Sequence, residues 1–347
     1  MRDATAKDSG QWAIRDWPYL VSMITLLALI VLAFMVGQFP VRPWELVAAV
    51  MARTTGGDTG VSAAAETVIF QIRGPRITAA IVVGAALAAA GTAYQGMFRN
   101  PLVSPDILGV SSGAALGAVI AIFLSLHVAA IQGCAFLGGL AAVAVVYTVG
   151  SMVRGHDPLL TLILAGVVIG TLLGSCIALL KYLADPYNQL PAITFWLLGS
   201  LAGVAPQDLL LVIPLTTLGL VPMLLLRWRM NLLSLPDDEA RSLGVNTRQL
   251  RTVVVCAATL MTAASVAISG IIGWVGLLVP HAARLLIGPD FSRLLPLSMA
   301  FGACYLLAVD TLARTLVAIE IPPGVLTALI GTPFFLWLLA ATRRGWV

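Results

Sequence analysis

Residues 73–114 read RGPRITAAIVVGAALAAAGTAYQGMFRNPLVSPDILGVSSGA. The run 77–97 is apolar and long enough to cross a bilayer, which takes ~20 such residues. Then Pro101, Pro105 and Asp106 interrupt the apolar pattern. Proline cannot continue a helix interior and pushes the residue before it out of helical geometry. NPLVSP (100–105) therefore predicts a non-helical connection. Ser104 or Asp106 would cap the next helix, with Pro105 near its first turn. Gly109, Ser111, Ser112, Gly113, Ala114 and Gly117 carry little bulk, so that helix can approach another backbone closely or face a wide passage. Two readings stay open: a short loop with close packing, or the gate of a pathway at Asn100, Pro101 and Pro105.

The rest of the chain has the same character. Its 347 residues are 59% hydrophobic and 10% charged, against about 25% charged in a soluble domain. Mean hydropathy is +0.98. So much apolar surface needs lipid as its solvent, which predicts an all-α polytopic membrane protein. The whole chain reads as one transmembrane domain, with 1–17 a polar cytoplasmic segment. The net charge of +4 does not point to nucleic acid: Lys7 and Lys181 are the two lysines, and no basic run is interleaved with aromatics. Cys134, Cys176, Cys256 and Cys304 lie in apolar runs without C-x-x-C spacing and read as free core thiols.

Ten segments predict spans: 18–38, 77–97, 107–126, 129–152, 158–181, 206–226, 252–269, 274–287, 296–314 and 323–341. With the N-terminus inside, fourteen of the 20 Arg and Lys fall on the cytoplasmic side, among them Arg2, Lys7, Arg15, Arg154, Arg343 and Arg344. That bias places both termini in the cytoplasm. The stretch 73–96 is echoed by RQLRTVVVCAATLMTAASVAISG (248–270). Each has Arg-x-x-Arg, a small-residue helix and then Gly. Ten spans would orient these two helices oppositely, the pattern of an inverted repeat.

The longest cytoplasmic connection is 227–251. Asp237, Asp238 and Glu239 favour the start of a short helix, because carboxylates complement its positive end. Gly244 would end it, and Asn246 or Thr247 would cap a second helix. Leu235, Leu243 and Val245 give this loop an apolar edge. Arg73, Arg76 and Arg314 fall on the outer side, and Asp310 and Arg314, four apart, are spaced to pair. Gly166, Gly170 and Gly174, with Ser175 adjacent, lie on one face of the fifth span, which suits tight packing. His127, His156 and His281 show no ligand spacing, and His281 reads as a structural hydrogen-bonding residue. No reactive cluster points to an enzyme. A phosphate-binding loop needs G-x-x-x-x-G-K-[ST], but Lys7 is followed by Asp8 and Lys181 by Tyr182.

Taken together, 73–114, FWLLGSL (195–201), NLLSLPDDEARSLGVNTRQLR (231–251), GIIGWVGLLVPHAARLLIG (270–288), VDTLAR (309–314) and EIPPGVLTALIGTPFFLWLL (320–339) resemble the FecCD-type permeases of binding-protein-dependent ABC importers. The resemblance implies the type II importer permease fold with ten helices per subunit. It implies a homodimer around a central pathway in the cytoplasmic (inner) membrane of a bacterium or archaeon. Two cytoplasmic ATPase subunits would hold ATP and Mg, and an external binding protein would deliver cargo. This chain itself would carry no cofactor and no metal.

Residue by residue, the resemblance implies that Leu235, Asp237, Asp238, Glu239, Ala240, Arg241, Leu243, Gly244 and Val245 couple to the ATPase. Arg73, Arg76 and Arg314 would dock glutamates of the binding protein. The Gly166, Gly170, Gly174 and Ser175 face would line the pathway, followed by a short gating helix at about 190–201. A ferric siderophore is the expected cargo. KYLADPYNQLPAITFWLLGSL (181–201) also resembles branches that include molybdate or tungstate importers, and haem and cobalamin stay open. The competing classes are an ion-coupled secondary carrier and a membrane-embedded enzyme. A carrier usually places ionisable groups near the bilayer centre, whereas Asp106 and Asp310 fall near helix ends.

Overall fold

A computed structural model describes residues 5–37, 39–55, 60–153, 158–317 and 319–341. Expectations placed on Arg2, Arg154, His156, Arg343 and Arg344, and on the side chains of Lys7 and Arg15, lie outside the described residues. In chain order the helices are α1 (Thr5–Met35), α2 (Pro43–Thr55), α3 (Ala63–Thr67), α4 (Gly74–Met97), α5 (Val110–Phe123), α6 (Val128–Met152) and α7 (Pro158–Leu183). They continue as α8 (Gln189–Leu198), α9 (Pro206–Met230), α10 (Asp237–Ser242), α11 (Thr247–Ser269), α12 (Val275–Ile287), α13 (Phe291–Ala313) and α14 (Pro323–Ala341). Among the described residues there is no strand.

All ten predicted segments are helical, but not all are long. Among the described residues, seven helices have the length and apolarity to cross a membrane. Two expected spans fall short, α5 with 14 residues and α12 with 13, while α14 runs the full 19 residues of its expected segment. At 1.5 Å per residue, α5 rises about 21 Å of a hydrocarbon core about 30 Å thick. The prolines and glycines before it use chain for a turn instead of a helix. α1 begins at Thr5, ahead of the expected span at 18–38, and runs on through Pro18.

The centre of the bundle is α4. Its best apolar window is 78% buried, against 6% for α7. Packing this close needs small residues, because lipid supplies no hydrophobic drive between helices and dispersion must hold them. A Cβ on Gly84 would overlap the Gly302 carbonyl of α13, and one on Gly91 would overlap the Gly276 carbonyl of α12. Gly113 of α5 and Gly138 of α6 meet in the same way. Larger side chains fill the space beside these crossings. Tyr94 and Met97 of α4 and Met261 of α11 are fully buried in one cluster with Leu108.

Helix direction follows from the contacts at the two ends. Arg99, just past α4, bonds to the carbonyls of Leu233 and Leu235, shortly before α11 begins. The end of α4 and the start of α11 therefore share one end of the bundle, and the two helices run oppositely, as the echo between 73–96 and 248–270 requires. Asn231 bonds to Asp290 there, so α13 also starts at this end. The four cysteines are free, but none is a core residue as expected: Cys134, Cys176 and Cys304 are half-buried and Cys256 is exposed.

The crossing at Gly91 yields a direct test. Gly91→Ala overpacks a backbone contact, a change that typically costs about 1–3 kcal/mol. Gly133→Ala on α6 meets open space and gains helix propensity of up to ~1 kcal/mol. In detergent the first variant should melt below the parent and the second at or above it. Equal melting points would contradict the packing described here.

Candidate functional site

The end of the bundle that carries Arg99 also carries the predicted loop, built as a helical hairpin. α9 passes into a 3-10 turn, Asn231–Ser234, and then α10 starts at Asp237 with carboxylates in its first turn. Gly244 at φ +80° closes α10, a left-handed conformation open to glycine at no steric cost. The Asn246 side chain accepts from the Gln249 N–H and caps α11. Each of these devices was legible in the sequence.

The hairpin is anchored on one side and bare on the other. Arg251 forks onto Asp237 at 2.6 and 3.0 Å, and Ala240 is fully buried. Asp238, Glu239, Arg241, Leu243 and Gly244 are exposed, while Leu235 and Val245 are half-buried. Asn231 accepts from the Phe291 N–H and donates to Asp290, both at 2.7 Å. Burial pushes the Asp290 carboxyl up, but bonds from Asn231 and Ser292 outweigh it and hold the group below its usual range.

The connector between α4 and α5 lies against this hairpin. Asn100 donates its N–H to the Gln95 carbonyl, and its Oδ1 accepts from the Leu102 N–H at 2.9 Å. Pro101 follows, and Pro105–Leu108 forms a 3-10 turn. Neither Ser104 nor Asp106 caps α5, contrary to expectation. Gly109 at φ +76° stands between them and the helix, and Asp106 instead accepts from the Ser111 hydroxyl. The turn is wedged tightly. A Cβ on Gly276 would overlap Pro105, and one on Gly166 would overlap the Ile107 carbonyl.

That wedge corrects the reading of the α7 glycines as one smooth open face. Gly166 is buried under the connector, and Gly170 sits near the Ser112 hydroxyl. Gly174 has no atom near where a Cβ would sit, and Ser175 is exposed, its hydroxyl turned to the Thr171 carbonyl. The exposed face of α7 is formed by Val167, Val168, Thr171, Leu172, Ser175 and Leu179. It is uncharged along its length. The short helix expected after this span is present as α8.

At the opposite end the three predicted docking arginines are all buried, with 5–8% exposure. Arg73 donates to the carbonyls of Phe34 and Phe39, and Arg314 donates to that of Ala33. Two cations thus cap the negative end of α1. Asp310 pairs not with Arg314 but with Arg76, whose Nε lies 3.0 Å from both carboxylate oxygens. The two Nη atoms of Arg76 meet Glu320 at 2.9 Å in a parallel fork. Glu320 is the half-exposed member of the set. Sequence reasoning missed Glu320 and the bonds of Arg99, because each partner lies more than a hundred residues away. His281 also departs from expectation: its Nδ1 has no hydrogen-bond partner, and its ring lies edge-on to Phe335.

The FecCD transport family matches over residues 25–341. The chain is 40% identical over 332 residues to the molybdate import system permease protein of Haemophilus influenzae, covering 95% of this chain and 98% of that one. It is 43% identical to the hemin transport system permease protein of Yersinia pestis, covering 79% and 84%. A solved metal-chelate type ABC transporter in an inward-facing conformation superposes with a TM-score of 0.83 at 38% identity, covering 93% of this chain and 98% of that one.

The buried pair can be tested by a double substitution. Arg76→Met alone leaves Asp310 buried without its hydrogen-bonded partner, which costs about 3–5 kcal/mol. Adding Asp310→Leu removes the stranded charge and should recover more than half of the lost thermal stability. Additive losses in the double variant would show that the pair carries no coupling.

Proposed function

Because this chain belongs to the FecCD transport family of ABC importer permeases, we propose that it carries an iron chelate, a ferric siderophore, across the cytoplasmic membrane. The chain is the multi-pass permease subunit and is not an enzyme; ATP hydrolysis falls to separate ATPase subunits. The family match across residues 25–341 carries the permease role, and the likeness to a metal-chelate type transporter supports the cargo. The geometry adds the division of labour between the two ends.

In this reading the end with 231–251 faces the cytoplasm, as the Arg and Lys bias requires, and both termini lie there. Asp238, Glu239, Arg241 and Leu243 form an exposed polar and apolar knob that fits a groove on an ATPase. α10 is held below by Asp237–Arg251, so a push on the knob reaches α11. The opposite end receives the external binding protein. There Arg76 is reached through the half-exposed Glu320, while Arg73 and Arg314 hold the rim by capping α1. Two copies pair around a central pathway lined by the exposed face of α7. A bulky chelate slides past such an uncharged wall, and selectivity rests with the binding protein.

A second reading of the cargo is molybdate. It is favoured by the end-to-end alignment with the Haemophilus influenzae permease, which covers 98% of that chain. Two experiments separate the points. Titrating the partner binding protein with ferric siderophores, haem, cobalamin, molybdate and tungstate should give its tightest binding with a ferric siderophore. Tightest binding of molybdate would replace the cargo and leave the rest standing. Gly244→Val forces a β-branched residue into the left-handed region, at a cost on the order of 1–2 kcal/mol. It should leave the ATPases hydrolysing while uptake collapses. Normal uptake would remove 231–251 from the coupling role.

A further inference from the structure

Arg99 adopts φ +53°, a conformation uncommon outside glycine. That backbone turn swings the side chain away from α4 and across to the hairpin. Its Nε donates to the Leu233 carbonyl at 2.9 Å, and its Nη2 donates to the Leu235 carbonyl. These two carbonyls immediately precede α10. The planar guanidinium presents donors in a fixed fork, so one residue can hold two backbone acceptors at a set spacing.

On the other side of Arg99 the chain is stiff and wedged. Pro101 and Pro105 fix their φ angles, Asn100 ties the turn back to Gln95 and Leu102, and Pro105 packs on Gly276 of α12. The Ile107 carbonyl then seats against Gly166, with no space for a Cβ between them. A contiguous line of contacts therefore runs from the segment before α10, through the guanidinium of Arg99, along 100–108, and into α7. The ion pair Asp237–Arg251 leads from the same hairpin into α11 instead. The Arg99 line reaches α7 through the connector itself, without passing through α11.

We propose that Arg99 is the positioning residue that transmits movement of the 231–251 hairpin to the connector and thereby to the wall formed by α7. The two carbonyl bonds make hairpin and connector move as one body. Without them, α10 would still follow α11, the connector would lose its direct tie to the hairpin, and α7 would keep only the indirect route through α11, α5 and α6. This proposal rests on the reading of 231–251 as the coupling element, and the test is arranged to separate the two.

The test uses the complete importer, permease with ATPases and binding protein, in proteoliposomes. Arg99→Gln and Arg99→Lys are compared with the parent for ATP hydrolysis and for cargo moved per ATP hydrolysed. Arg99→Gln should keep ATPase association and hydrolysis near parental levels and lower cargo per ATP about tenfold, a size typical of residues that carry coupling between sites. Arg99→Lys keeps the charge but loses the fork and should fall between. Spin labels at Leu102→Cys and Ser242→Cys, with the four native cysteines replaced, read the linkage directly. Their distance distribution should be narrow in the parent and broad in Arg99→Gln.

A parental ratio of cargo to ATP in Arg99→Gln would overturn the proposal. If that variant does not fold, Arg99→Lys decides by the same ratio: lowered supports, unchanged overturns. A parallel arm removes the exposed knob with Asp238→Ala and Leu243→Ala. Loss of ATPase association there, with an unchanged ratio in Arg99→Gln, sinks the Arg99 link alone. Unchanged association in the knob variant sinks the coupling reading beneath it.

Discussion

The backbone-to-backbone approach of α4 to its neighbours is the constraint on which the rest of the structure depends. In lipid no hydrophobic force drives helices together, so contact must come from close packing and dispersion. Glycines at 84, 91, 276 and 302 remove the side chains that would hold the axes apart. α4 can then touch α9, α11, α12 and α13 at once. Its two ends inherit that rigidity. One end presents Arg76 to Asp310 and Glu320, and the other presents Arg99 to the hairpin before α11. A small-residue helix at the centre thus fixes two polar sites on opposite faces of the bundle relative to each other.

Much of this was legible in the sequence, and the division between legible and illegible has a physical basis. The ten apolar segments announced themselves, since a run of apolar residues is the strongest signal a chain can carry about membranes. The hairpin was legible because it lies outside the spans and obeys the rules of soluble helices: carboxylates at the start of α10, Gly244 at its end, Asn246 as the next cap. The faces of the spans were not legible. A helix that is apolar all round gives no periodicity to say which side packs, so the burial of Gly166 under the Ile107 carbonyl was invisible. So was the true partner of Asp310. Spacing on one helix nominated Arg314, four residues on, while the structure brings Arg76 from 234 residues away. The short helices were overestimated for a related reason: composition extends a span across a turn that Gly109 or Trp274, at φ +69°, ends.

The charges also speak to how transport is driven. Asp310 is fully buried, yet it lies in the last turn of α13 and is already matched by Arg76. Asp106 lies in the connector and holds the Ser111 hydroxyl. A carrier driven by protons or sodium needs ionisable groups along its path, and the exposed face of α7, the wall proposed above, offers none. An importer powered from outside the membrane domain needs something else: a surface that receives force and a stiff route into the wall. The hairpin and the wedged connector have that form.

The most direct measurement of this account is the energy source of uptake. Proteoliposomes holding the permease and its ATPases are loaded with ATP, supplied with cargo-loaded binding protein, and treated with ionophores that collapse proton and sodium gradients. Uptake should continue at full rate and stop when the enclosed ATP is removed. Uptake that survives without ATP and dies with the ion gradient would contradict the account and make this chain a secondary carrier.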